Sequence, residues 1–306
     1  MRATNIIELR GLTKRYPGAT VDALHNVSLT VQAGQIFGFL GPNGAGKTTA
    51  ISILVNLLRP TSGTVKLFGK DNAQFGLENR ARIGFLAGDM ALDKGLTGWQ
   101  QLEYFGNLRG NFNKSYVREL AKRFDSDLKK RIKDLSRGNR QKIGLIAALM
   151  HQPELLILDE PTSGLDPLIQ AEFNKIILER QTEGKTTFMS SHVLSEVQEL
   201  CDQLAIIREG KVVTHKSLKD IIAAAPRIVR LTSNGSTHPA PLVKDLAGVS
   251  NLVRHDHSVS FSFTGDINQL LARLTKQPLK NVTIQNAELE DIFMSFYAGS
   301  QKEDHA

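Results

Sequence analysis

The sequence predicts an α/β fold with a largely parallel sheet, antiparallel strands before it, a helical insertion within it and a small α+β domain after it. Three observations predict this. "QIFGFLGPNGAGKTTAISILV" runs from an apolar strand through a glycine-rich loop into a helix. "LLILDEP" and "TTFMSS" are buried-strand runs separated by the helix-like "LIQAEFNKIILERQTEG", which makes βαβ units. After "KSLKDIIAAAP" the pattern changes to short β-type runs.

In chain order, residues 5–39 alternate the β-type runs "IIELRGL", "LHNVSLTV" and "QIFGFL" with turns at Pro17-Gly18 and Ala33-Gly34. "GTVKLFGK" reads as one more hairpin strand. From Leu92 to Lys133 the spacing is helical, with Leu102, Phe105 and Leu108 on one face and Val117, Leu120, Ala121 and Phe124 on another. "QLAIIREGKVV" closes the sheet through a Glu209-Gly210 turn. Beyond about 220, "RIVRLTS" and "SVSFSF" read as strands and "ELEDIFMSFYAG" as an amphipathic ending, with a disordered tail "SQKEDHA". No repeat of solenoid or propeller length is evident.

The 306 residues suffice for one large domain and a smaller one, and 41% hydrophobic with 23% charged content is that of a globular protein. A net charge of +7 and a pI near 9.4 would suit nucleic acid, an acidic membrane surface or nucleotide, but the basic residues are scattered as on a solvated surface. The single cysteine, Cys201, leaves no internal disulfide, and the opening stretch reads without an apolar signal segment, so a reducing cytoplasm is expected. The longest apolar run, "KIGLIAALM", is less than half a bilayer span.

The glycine-rich loop fits G-x-x-x-x-G-K-[ST] with Gly41, Gly46, Lys47 and Thr48 in the fixed places. Gly41, Gly44 and Gly46 let successive N–H groups turn toward a phosphate, and the following helix start adds positive potential. Asn43 belongs to the same loop. Lys47 is placed to meet β- and γ-phosphates, the Thr48 hydroxyl to ligate Mg²⁺, and Thr49 to assist from the backbone. The expected ligand is a nucleoside triphosphate.

Four apolar residues, Leu155 to Leu158, carry Asp159 and Glu160 to the carboxyl end of a strand, where parallel sheets bind ligands. Asp159 suits Mg²⁺, and Glu160 suits polarising the water that attacks the γ-phosphorus. "DLSRGNRQK", residues 134–142, places Ser136 and Gly138 at the start of another helix. On local grounds that is a second anion site or an ordinary helix cap.

With these motifs in this order, residues 5 to about 217 resemble the nucleotide-binding subunit of ATP-binding-cassette transporters. The resemblance implies a phosphate-loop NTPase cassette over 1–219, with an antiparallel β subdomain and a helical insertion at about 90–150, and an accessory α+β domain over 220–306. It implies that "DLSRGNRQK" is the signature motif, with Asn139 where glutamine is commoner. Ser136 and Gly138 would close on ATP held by another copy in a head-to-tail homodimer. Ser163-Gly164-Leu165-Asp166 resembles the loop crossing that interface, His192 in "SSHVLSEV" the histidine at the γ-phosphate, and Tyr16 the aromatic that stacks on adenine. Read without the family, His192 is most often structural and Tyr16 as readily a core residue.

One departure stands out: where the family has a glutamine leading into the helical insertion, "IGFLAGDMALDKGLTG" has Gly88, with Asp89 the nearest polar substitute for the metal. The ending "AELEDIFMSFYAG" resembles the accessory segment of subunits that serve two-component exporters. The resemblance thus implies an ATPase using ATP and Mg²⁺ to power export through separate integral membrane permease subunits, peripheral on the inner face of the cell membrane. The competing readings are a soluble cassette ATPase acting on nucleic acid or ribosomes and a non-hydrolysing module. One phosphate loop, one signature motif and no aromatic-rich basic stretch speak against a nucleic-acid partner, and Glu160 speaks against the module.

Overall fold

The first strands follow the alternation of their sequence. In the computed structural model β1 (Asn5–Lys14) and β2 (Leu24–Gln32) pair antiparallel, and Ile7, Leu9, Leu12, Val27, Leu29 and Val31 turn into one core. β3 (Ile36–Leu40) breaks the alternation, because all five residues of IFGFL are buried, as in a strand covered on both faces. It leads through the glycine-rich loop into α1 (Lys47–Leu54), whose Ala50, Ile51, Ile53 and Leu54 pack into the same core. β4 (Ser62–Leu67) and β5 (Lys70–Asp71) complete a sheet ordered β2-β1-β4-β5. The structure describes residues 4–110, 112–224, 226–234 and 238–286; the amphipathic ending and tail read above lie outside them.

After α2 (Gly76–Ala81) and β6 (Ile83–Leu86) comes the helical insertion. α3 (Gly98–Leu108) begins at a capping box of Thr97 and Gln100, α4 (Lys114–Arg123) at Asn113 and α5 (Arg137–Leu149) at Ser136, each cap oxygen accepting a first-turn N–H. Leu102, Val117, Leu120, Ala121 and Phe124 are buried as their spacing predicts. Leu108 is not: it is 69% exposed, because α3 ends there and the side chain overhangs an open groove beside Leu77, Arg109 and His151.

β7 (Leu155–Asp159), α6 (Pro167–Thr182), β8 (Thr186–Ser191), α7 (Leu194–Leu200), β9 (Gln203–Arg208) and β10 (Lys211–Ser217) complete this unit. The larger sheet runs β10-β9-β3-β8-β7-β6, parallel except for β10. Every residue of β7 and β8 is buried. Phe188 stacks on Phe37 at 5.5 Å and meets Phe39 at 5.6 Å, so truncating it to alanine is expected to cost about 3–5 kcal/mol. With β8 seated between β3 and β7, the loops leaving these three strands emerge side by side.

The chain divides into compact units at Met1–Ser217 and Leu218–Ala306. In the second, α8 (Leu218–Ala224), β11 (Arg227–Ser233), β12 (Val249–His255), β13 (Ser258–Phe263), α9 (Ile267–Leu274) and β14 (Leu279–Asn286) follow in order. The strands form an antiparallel sheet ordered β12-β13-β11-β14. Val229, Leu231, Val259, Phe261, Phe263, Leu270 and Leu274 make its core. Among the described residues no helix is long and apolar enough to cross a membrane.

Candidate functional site

The loop after β3 is shaped by Gly46, which precedes α1 with φ of 106°, and a Cβ there would lie 2.5 Å from the Ala23 carbonyl oxygen. Only glycine fits. Lys47 is 5% exposed, and its Nζ donates to the carbonyl oxygens of Gly41 at 2.6 Å and Pro42 at 3.2 Å. The loop, with Asn43, Gly44, Thr48 and Thr49, wraps a cavity of about 210 Å³ that Ala23 and Glu160 also line.

The strand-end acids meet this loop from β7. Thr48 Oγ1 donates to Asp159 Oδ2 at 2.7 Å, and Ser190 Oγ, from β8, donates to Asp159 Oδ1 at 2.5 Å. Ser190 Oγ also accepts the Glu160 backbone N–H at 3.1 Å. Glu160 has φ of 51°, so its side chain leaves the strand line and its two oxygens diverge. Oε1 lies 3.2 Å from Lys47 Nζ, an ion pair without hydrogen-bond alignment, and Oε2 lies 2.6 Å from His192 Nδ1. The Thr48 hydroxyl and the Asp159 carboxylate are hard oxygen donors meeting at one point, which fits Mg²⁺, a cation that takes one or two protein oxygens and keeps water or phosphate for the rest.

Asp89 is exposed, and no hydrogen bond or ion pair joins it to Thr48 or Asp159 among the described residues. Gly88 is the nearer neighbour: a Cβ built on it would lie 3.3 Å from Asp159 Oδ2. Tyr16 is 42% exposed, hence not a core residue, and its Oη is 3.3 Å from Thr49 Oγ1. The Thr49 side chain therefore meets Tyr16, a contact its place in the loop did not suggest.

Several site residues escape the sequence reading. The Glu196 carboxylate accepts from Thr162 Oγ1 at 2.5 Å and from Ser191 Oγ at 2.8 Å, tying the loop after Glu160 to the one carrying His192. Ser190 bridges Asp159 and Glu160 as described. The available signal was adjacency, since "EPTS" and "SSH" set hydroxyls beside Glu160 and His192.

Ser136 is exposed and caps α5, its Oγ accepting from the Asn139 N–H at 3.3 Å. A Cβ on Gly138 would lie 2.3 Å from the Gly164 carbonyl oxygen, so the chain passes close by for want of a side chain. Arg137 Nη2 donates to Ser163 Oγ at 3.2 Å and Gln141 Nε2 to the Pro161 carbonyl at 2.9 Å. Asp166 caps α6 through the Ile169 N–H. Gly138 thus rests on the loop that follows Glu160, and neither it nor Ser136 lines the chain's own cavity at Lys47.

Comparison with known proteins places these features in a family. The model described as ABC transporter matches residues 24–163. The bacitracin transport ATP-binding protein BcrA of Enterococcus faecalis is 31% identical over 300 residues, covering 96% of this chain and 97% of that protein. A fluoroquinolones export ATP-binding protein of Mycobacterium tuberculosis is 35% identical over 234 residues, 76% of this chain and 78% of that protein. Among solved structures, an ATP-binding subunit of an ABC transporter superposes with a TM-score of 0.65 at 25% identity, covering 71% of this chain and 92% of that one. cbiO1 of Clostridium perfringens, part of the ABC transporter complex cbiONQ, superposes with 0.61 at 28% identity, covering 72% and 91%.

Proposed function

The chain belongs to the ABC transporter family as an ATP-binding ATPase subunit, and from that premise we propose that it powers export through separate integral membrane permease subunits. Bacitracin transport, named for one relative, supports a transport role, and fluoroquinolone export, named for another, supports the export direction. The chain would act at the inner face of the cell membrane, with residues 1–219 as the cassette and 220–306 as an accessory domain.

The observation that carries this reading is the Glu160 carboxylate, held between Lys47 and His192 at the rim of the phosphate-loop cavity. In the reaction, Gly41, Asn43, Gly44, Gly46 and Lys47 cradle the phosphates, Thr49 braces Tyr16 against adenine, and Glu160 draws a proton from the attacking water while His192 orients it. Thr48 and Asp159 would hold Mg²⁺, with Asp89 as the acidic side chain on the adjoining loop; bound there, the cation neutralises charge on the phosphate oxygens. Ser136 and Gly138, which do not line the chain's own cavity, complete the site of a second copy in a head-to-tail homodimer, and Ser163 to Asp166 cross between the copies.

The test is phosphate release by the purified chain with ATP and Mg²⁺, alone and together with its membrane permease, and with Ser136 replaced by arginine. Turnover that needs Mg²⁺, rises with the permease and collapses in Ser136→Arg is expected. Turnover unchanged by Ser136→Arg would end the head-to-tail reading.

A further inference from the structure

We propose that Ser190 is a positioning residue for hydrolysis: one buried hydroxyl sets the orientation of both strand-end acids, Asp159 through its side chain and Glu160 through its backbone. The proposal rests on the reading above, in which Asp159 holds the cation and Glu160 polarises water.

Strand register creates the arrangement. Asp159 and Ser190 are direct partners across β7 and β8, the last paired position before β7 ends. At the next residue the chain turns left-handed, with Glu160 at φ of 51°, a conformation that side-chain-bearing residues keep only when the surroundings hold them there. That turn withdraws the Glu160 N–H from the strand ladder, and a buried N–H needs another acceptor. Ser190 Oγ is that acceptor, at 3.1 Å.

The same oxygen spends its only proton on Asp159 Oδ1 at 2.5 Å. With Oδ1 so engaged, the carboxylate cannot turn about its last bond, and Oδ2 stays beside Thr48 at 2.7 Å. Ser190 is fully buried, so removing the hydroxyl leaves both groups without a ready solvent substitute. Burial on β8 does not by itself call for such bonds. Thr187, on the same strand and also buried, has a hydroxyl with no hydrogen-bond partner among the described residues.

The experiment compares the wild-type chain with Ser190→Ala, Ser190→Thr and Thr187→Val, measuring kcat and KM for ATP, the Mg²⁺ concentration for half-maximal turnover, affinity for a fluorescent ATP analogue in EDTA, and Tm. Ser190→Ala is expected to lower kcat about 10- to 100-fold and to raise the Mg²⁺ requirement, while affinity in EDTA stays within about twofold. Ser190→Thr recovers turnover, and Thr187→Val shifts Tm without moving kcat. A kcat for Ser190→Ala within about twofold of wild type, or an equal loss in Thr187→Val, overturns the proposal. Should Ser190→Ala fail to fold, Ser190→Cys, which keeps the size and weakens the donor, takes its place under the same criteria. A wild-type chain without turnover overturns the functional reading itself.

Discussion

His192 Nδ1 lies 2.6 Å from Glu160 Oε2, a short contact between two loops that leave neighbouring strands. The other oxygen of Glu160 faces Lys47, so the carboxylate is held at both ends. Glu160→Gln keeps the shape and loses the proton acceptor. Turnover is expected to fall by at least about 100-fold, with ATP still bound and a nucleotide-loaded dimer accumulating. Phosphate release and size-exclusion chromatography in ATP measure the two effects, and rapid steady-state hydrolysis by this variant would remove Glu160 from its role.

Lys47→Ala acts at a different step. The ammonium is buried, and its resting partners are the Gly41 and Pro42 carbonyls and Glu160. Phosphate oxygens would take over those contacts, and a charged hydrogen bond contributes about 1.5–3 kcal/mol. Titration calorimetry should therefore show ATP affinity weaker by about 10- to 100-fold. Affinity unchanged in this variant would mean that the backbone N–H groups of the loop suffice.

The cassette's chemistry was legible where it depends on local spacing. Gly41 to Thr48 and Leu155 to Glu160 each carry their own strand and loop, so the order of residues alone sets Thr48 and Asp159 at strand ends, which the structure brings within 2.7 Å of each other. Ser190 and Glu196 were not legible, because their roles exist only once β8 lies beside β7 and α7 folds back toward Thr162. In the second unit β11 and β13 were read from their apolar alternation. β12 and β14 were missed because "VSNLVRH" is broken at Asn251, whose φ is 51°, and "LKNVTIQN" is largely polar. α9 had a signal that went unused: Asp266 caps it, and Leu270 and Leu274 repeat at helical spacing. Leu108 shows the reverse error, a correct period carried past the packed part of its helix, whose last buried residue is Gly106.

His151 supplies a pH dependence of stability. Burial, with the Arg109 charge beside it, lowers its imidazole from the usual 6.5 to about 4, and its Nε2 bonds the Ile83 carbonyl at 3.0 Å. Between about pH 4 and 6.5 the unfolded chain binds a proton that the folded chain refuses, so stability falls as pH drops through that window. His151→Gln keeps a donor near Ile83 and cannot titrate. Its Tm should decline less than wild type's between pH 7 and about 4.5, and parallel declines would remove His151 as the source.

Gly88→Gln tests whether the departure from the family's glutamine limits turnover. The position admits a side chain: its φ is not left-handed, and the nearest atom to an added Cβ is Asp159 Oδ2 at 3.3 Å, close enough that the loop must yield by a few tenths of an ångström. A glutamine amide reaching past Asp159 would add a polar group beside Thr48, which Asp89 does not meet through a hydrogen bond or ion pair among the described residues. kcat is expected to rise severalfold with KM for ATP little changed, since the added group acts at the cation and water rather than on the base. The measurement is ATPase activity of purified Gly88→Gln with its permease, alongside Asp89→Ala. A rate unchanged in Gly88→Gln but reduced in Asp89→Ala would mean that Asp89 already supplies what the glutamine would.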